Sequence, residues 1–103
     1  MKTKNLFAVF GVDKPDMGEV RGNARPSHRH YLRNHDHDVK VVMGGPTLDE
    51  NSEKMNGTLL IIKANSLEDV RNYIDGDPYV KAGLFSEIFI RPWALGLGKE
   101  PTI

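Results

Sequence analysis

Residues 75–93, DGDPYVKAGLFSEIFIRPW, pack a turn, a short helix-like piece and an apolar strand into one continuous stretch. Phe85 to Arg91 reads as the strand, ended by Pro92. Gly76 stands where a helix C-terminus favours a residue tolerant of positive φ, so a helix should lie just before it. Ser66-Leu67-Glu68-Asp69 supplies its start, with the form of a capping box in which Asp69 takes the usual Glu place, and the helix is predicted to run through Ile74. Further back, Thr58 to Ala64 (TLLIIKA) and Val39 to Gly44 (VKVVMG) are strands, the latter closed by a Gly44-Gly45-Pro46 turn. The polar segment between them, Thr47 to Asn56, is expected to be an exposed loop. From about Met17 to His35 the period changes. Val20, Ala24, His28, Leu32 and His35 recur at steps of four and three, one side of a helix, with Pro26 marking a kink or a new first turn. Leu6 to Val12 (LFAVFGV), closed by Asp13-Lys14-Pro15-Asp16, is the first strand. The order is β-α-β-β-α-β. It predicts an α+β, ferredoxin-like protomer: a four-stranded antiparallel sheet with two helices on one face.

The strands themselves carry a second message. A half-exposed sheet should alternate apolar with polar residues. Here Leu6, Ala8 and Phe10 are apolar on one parity and Phe7 and Val9 on the other, and Leu59 and Ile61 oppose Leu60 and Ile62. Two helices cover only one face. The other is expected to pack on the sheet of a second copy, as a homodimer or within a larger assembly.

A chain of 103 residues fits one domain, 1–103, with a core over about 4–93 and a short C-terminal tail, 94–103. Fourteen basic and fourteen acidic side chains cancel, so no overall field points to nucleic acid or an anionic membrane. The absence of cysteine removes disulfides, thiol catalysis and Cys-type zinc sites. MKTKNLFAVFGVDKPD is too soon interrupted for a signal peptide, and no stretch approaches the roughly 20 apolar residues of a membrane span. A soluble, cytoplasmic domain is expected, with a small molecule as its partner.

Four histidines crowd between residues 28 and 37. His28 lies on the apolar side of the first helix, which must face the sheet. A buried imidazole needs a partner there. It is either a core histidine satisfied by a backbone carbonyl, or an acid/base held by something stronger. His30, about 200° around the helix, cannot share a metal with it and should be solvated. The run His35-Asp36-His37-Asp38 is expected to be a solvated helix end and not a metal site. Arg21, Arg25, Arg29 and Arg33 form a drifting basic stripe, read as a solvated face except for Arg25, which is placed to meet an anionic ligand. The Gly44-Gly45-Pro46 turn lacks the lysine and following helix of a phosphate loop; a plain strand-ending turn is expected, with close approach of a ligand to its backbone as the other reading. Asp77 has two readings. It starts a turn by bonding its neighbouring amides, or the turn aims its carboxylate at His28. In the second case it would fix the imidazole tautomer and favour the charged form, making His28 a general acid/base.

In order and spacing, Arg25-Pro26-Ser27-His28, Tyr31-Leu32, Gly44-Gly45-Pro46, Asp77-Pro78-Tyr79, Ala82-Gly83-Leu84 and Ile90-Arg91-Pro92-Trp93 resemble the YCII-related family of the dimeric α/β-barrel superfamily. The likeness covers about residues 4–93. It implies a protomer whose sheets pair into a barrel, and a cleft between helices and sheet holding a histidine–aspartate pair, which falls by motif on His28 and Asp77. It also implies chemistry of the kind seen in a dehydrochlorinase member and in related muconolactone isomerases and cofactor-independent monooxygenases. One departure bears on pocket shape and substrate: Arg29-His30 follow His28 where family members have a more apolar pair.

The expectation is a small enzyme with no cofactor and no metal, performing an elimination or isomerisation by proton transfer on a cyclic or aromatic metabolite. His28 would be the acid/base and Asp77 its orienting group. Arg25 would hold an anionic group, and Tyr79 and Trp93 would line the pocket. Two other readings compete. A non-catalytic ligand-binding or sensing dimer needs a pocket but no tuned histidine. An assembly protein would pack His28 tightly with no adjoining cavity.

Overall fold

A computed structural model describes residues 5–101. The expected domain limits at 1 and 103, the core edge at residue 4 and the last two residues of the tail lie outside the described residues. The elements are β1 (Leu6–Asp13), α1 (Gly18–Arg33), β2 (Lys40–Leu48), β3 (Met55–Lys63), α2 (Leu67–Asp75), α3 (Pro78–Lys81) and β4 (Phe85–Trp93). The sheet order is β2-β3-β1-β4, every pair antiparallel. This is the ferredoxin-like arrangement, extended by the single turn α3 before β4.

Register decides which face each side chain serves. Val9 stands opposite Leu60 and Ile90, and Phe7 opposite Ile62. These residues point to the helices, where Phe7, Val9, Leu60 and Ile62 are buried with Val70, Tyr73 and Ile74 of α2, and Tyr31 and Leu32 of α1 pack against them. Ser66 caps α2 as its sequence predicts, its hydroxyl accepting from the Asp69 amide at 3.1 Å. The opposite parity faces away from the helices. Phe10, Met43, Leu59, Phe89 and Trp93 are all exposed large apolar side chains there, with Phe10 stacked on Phe89. The chain beyond β4 runs back beside that face, where Leu95 lines a cleft together with Leu6 and Ile61 and Glu100 pairs with Lys63.

Several boundaries differ from the sequence expectation. β2 does not stop at a Gly44-Gly45-Pro46 turn. It runs through these residues, pairing them with Leu60, Leu59 and Thr58, after a bulge at Val42. β3 begins at Met55 and not Thr58, so the exposed loop shrinks to a tight connection in which Asp49 accepts from the amides of Asn51 and Ser52. β4 likewise continues through Pro92 to Trp93. Both prolines are tolerated because β2 and β4 are the edges of the sheet, where a missing N–H breaks no ladder bond if it faces outward. Pro26 does not start a new helix: α1 continues from Gly18 to Arg33. It is anchored on the Arg21 side chain before the proline and on Tyr31 and Leu32 after it. Among the described residues no helix is long and apolar enough to cross a membrane.

Candidate active site

Local rules bring Asp77 under α1. The Gly76 amide donates to the Tyr73 carbonyl and the Asp77 amide to that of Ile74, closing α2. Gly76 has φ −89°, so the expected left-handed cap is not formed. What the position requires is the absence of a Cβ, which would lie 2.5 Å from the Tyr31 hydroxyl. Pro78 then occupies the first position of α3, where its fixed φ fits and its missing N–H costs nothing. The preceding Asp77 is held extended, at φ −65° and ψ 129°, as N-cap of α3. Its Oδ1 accepts from the Tyr79 amide at 3.0 Å.

The same oxygen lies 2.7 Å from Nδ1 of His28. One atom therefore both caps α3 and meets the imidazole, so the turn contact and the approach to His28 occur together. His28 is buried, 5 % exposed, and Asp77 is 2 % exposed. Its partner is a carboxylate and not the backbone carbonyl that a core histidine would use. Since an ionised carboxylate only accepts, Nδ1 carries the proton and donates. The other ring nitrogen, Nε2, has no hydrogen bond among the described residues. No buried side-chain nitrogen or oxygen there is left without a partner, so Nε2 is the atom open to the adjoining space.

That space is a cavity of about 340 Å³. Arg25, His28, Arg29, Leu32 and Arg33 of α1 form its roof, Val41, Gly44, Pro46, Thr58 and Leu60 its sheet floor, and Tyr79 one end. A cavity at His28 argues against the tightly packed histidine of an assembly protein. A wider cleft of about 760 Å³, between the β1–α1 turn and the β2–β3 hairpin, shares Arg21 and Arg25 but not His28.

Tyr79 is 1 % exposed and lies flat against His28, ring centroids 3.7 Å apart and planes 15° from parallel. Arg21 sits over the same tyrosine ring at 4.7 Å and donates to its hydroxyl at 3.3 Å. Here the sequence reading is corrected. Arg21 is not part of a solvated stripe but is 4 % exposed. Nε and Nη2 donate to the two oxygens of Asp13 at 2.8 and 2.9 Å, and Nη2 also donates to the Gly57 carbonyl and Thr58 Oγ1. Burial works to lower the Arg21 pKa, but the bonds and charge of Asp13 outweigh it and hold the guanidinium above its ordinary value. Burial also raises the Tyr79 phenol, against the opposing pull of Arg21 and Arg25.

Of the other residues singled out in the sequence, Arg25 does line the cavity. Trp93 does not. It pairs in register with Leu6, which puts it on the face of the sheet away from the helices, beside Leu95. His30 is exposed. The His35–Asp38 run lies beyond the end of α1, where Lys40 donates to the carbonyls of His35 and His37. Among the described residues no cluster of three or more His, Asp or Glu is arranged to hold a metal. Arg21 and Thr58 were missed as site residues, while the Gly44–Pro46 segment, read chiefly as a strand-ending turn, lines the cavity from within β2. Arg21 had a usable signal: it precedes His28 by seven residues, two turns, and so shares its inward face.

A family model described as the YCII-related domain matches residues 5–94. The chain belongs to the YCII-related family. Its relatives include Protein YciI of Escherichia coli O6:H1, 28% identical over 93 residues, which span 85% of this chain and 95% of the relative. Among solved structures, 5-chloro-2-hydroxyhydroquinone dehydrochlorinase (TftG) from Burkholderia phenoliruptrix AC1100, in complex with 2,5-dihydroxybenzoquinone, is 32% identical. The match has a TM-score of 0.79 and covers 88% of this chain and 95% of TftG. At3g17210 from Arabidopsis thaliana shares the fold at 14% identity and a TM-score of 0.53, over 92% of this chain and 98% of its own. This YCII-related chain thus has its buried histidine–aspartate pair in a fold shared by a dehydrochlorinase.

Proposed function

We propose that the protein is a cofactor-independent, dehydrochlorinase-like enzyme acting by general acid/base catalysis on a small cyclic or aromatic metabolite. The observation that carries this reading is the 2.7 Å contact between His28 Nδ1 and Asp77 Oδ1, with Nε2 open to the cavity. In an elimination, Nε2 takes a proton from the substrate carbon, the C–H pair becomes the new π bond, and chloride leaves with the C–Cl pair. In an isomerisation the proton returns from His28 to a different carbon. Asp77 orients the ring and stabilises the imidazolium formed in either case. Arg25 holds an anionic group of the substrate, and Tyr79 supports the imidazole. The likeness to TftG supports the dehydrochlorinase-like class. The working unit is a homodimer, a reading supported by the open apolar face of Phe10, Met43, Leu59 and Phe89.

The test is release of chloride from chlorinated hydroquinones and from their ring-carboxylated counterparts, with lactones and phenols screened alongside. His28→Ala and Asp77→Asn should each lower turnover by about 10²-fold or more, while circular dichroism and sedimentation show an unchanged fold and dimer. Binding without turnover, with His28→Gln keeping affinity within about tenfold, would establish the ligand-binding alternative instead. Sedimentation as a monomer would remove the dimer.

A further inference from the structure

Arg25, Arg29 and Arg33, which their spacing assigned partly to solvent, all line the cavity beside His28. Each step of four residues advances about 6 Å along α1 and drifts about 40° around it. The row therefore climbs from the buried Arg21 to the exposed rim at Arg29 and Arg33. The charge of Arg21 is met by Asp13. Among the described residues no carboxylate pairs with the other three, and the cavity lining contains neither Asp nor Glu. His35 adds a further nitrogen base at the same wall. Opposite this cationic roof the floor is apolar, made by Val41, Pro46 and Leu60. A concave site of one charge sign with apolar walls concentrates ligands of the opposite sign. The guanidinium fork binds a carboxylate bidentately through two parallel N–H donors.

We propose that the cavity is specific for an organic acid, whose ring-sized apolar body lies on the strand floor while its carboxylate is held by the row Arg25, Arg29 and Arg33. This rests on reading the cavity as the ligand site, and it extends that reading from one arginine to the charge class of the substrate. The row also stands where negative charge builds up as His28 removes a proton, so it serves the reaction as well as the binding.

The test compares each acid with its uncharged, isosteric amide. Benzoate against benzamide, and cyclohexanecarboxylate against its amide, are titrated to millimolar concentration into the full chain at physiological salt, followed by calorimetry and NMR. The wild type should bind each acid at least about tenfold more tightly than its amide. In the variant carrying Arg25→Gln, Arg29→Gln and Arg33→Gln together, the ratio should fall to near unity with amide affinity unchanged. Arg29 and Arg33 are exposed, Arg25 is half-buried, and none of the three makes a side-chain hydrogen bond or ion pair among the described residues, so the fold should tolerate these changes. Equal affinity for acid and amide, no binding of either, or a preference that survives the triple substitution would overturn the proposal. The readout is binding alone. Equal affinity of the wild type for acid and amide, with His28-dependent turnover intact, sinks this inference and not the acid/base reading; an acid preference that needs the three arginines, with no His28-dependent turnover, sinks the acid/base reading alone.

Discussion

Asp77 places one carboxylate oxygen between two donors, 2.7 Å from the His28 ring nitrogen and 3.0 Å from the Tyr79 amide. Capping a helix turn and orienting an imidazole are thus a single piece of geometry. Asparagine at this site can still accept both bonds but carries no charge. Alanine accepts neither.

Asp77→Asn is therefore expected to stay folded and to keep the Nδ1-protonated tautomer of His28, which ring-nitrogen NMR shifts report, while losing turnover. Asp77→Ala should lose in addition about 0.5–2 kcal/mol for the cap and about 1–3 kcal/mol for the imidazole left unpaired. Urea unfolding of the two variants separates the terms, and equal stabilities would mean that the oxygen is not shared.

Tyr79 bridges the Arg21 network and the His28 ring. Tyr79→Phe keeps the parallel ring contact and gives up only a long 3.3 Å hydrogen bond, so stability should change by less than about 1.5 kcal/mol and turnover should persist. Tyr79→Leu removes the stack, which contributes about 0.5–1.5 kcal/mol beyond its area. Because the imidazole then loses the surface that fixes its plane, kcat should fall further than KM rises. Steady-state kinetics on both variants distinguish a positioning role from simple packing, which would move stability and leave kcat alone.

Gly76→Ala should destabilise the fold even though the backbone there suits alanine. The added methyl would meet the Tyr31 hydroxyl at 2.5 Å and ring carbon Cζ at 3.2 Å, and that hydroxyl is held by the Tyr73 carbonyl at 2.8 Å. A loss of about 1–3 kcal/mol is expected for such overpacking. Tyr31→Phe in the same chain should restore part of it, and a denaturant double-mutant cycle measures the coupling.

The chain has three tyrosines, and each phenol is raised above its ordinary value, with burial the largest cause. A raised acid in the folded state means that the unfolded chain releases its protons first. Stability is then fully present below the unfolded value of about 10 and falls as pH rises beyond it. Ultraviolet titration should show phenolate appearing later in the native protein than in urea, and thermal midpoints should decline above about pH 10. Coincident titrations would contradict the burial of Tyr73 and Tyr79.

Much of this could be read from the chain, and the misses share a cause. The strand order followed from apolar runs and turn residues, and the α2 cap from Ser66. The inward placement of His28 followed from helical period. What failed depended on position within the sheet: Gly-Gly-Pro and Pro92 look like strand ends unless the strand is known to lie at an edge. Arg21 failed because charge suggested solvent, whereas Asp13, Gly57, Thr58 and Tyr79, scattered along the chain, together supply a buried site for a cation. Trp93 was assigned to the pocket by its nearness in sequence to the site motifs. Strand parity, once the register with Leu6 is known, sends it to the other side. The approach of Asp77 to His28 was legible as a chemical possibility, but no local rule fixes a contact between residues so far apart in sequence.

An antiparallel sheet with an apolar face left open also has two rims at which further strands can be added without limit. Here each rim carries a proline, Pro46 on β2 and Pro92 on β4, which removes one of the amides an incoming strand must bond. A proline at each rim works against fibre-like growth by rim-to-rim pairing, and were copies to associate as proposed, it would favour face-to-face closure, a finite assembly. Replacing both prolines with valine would be expected to expose the protein to polymerisation long before it disturbed the fold.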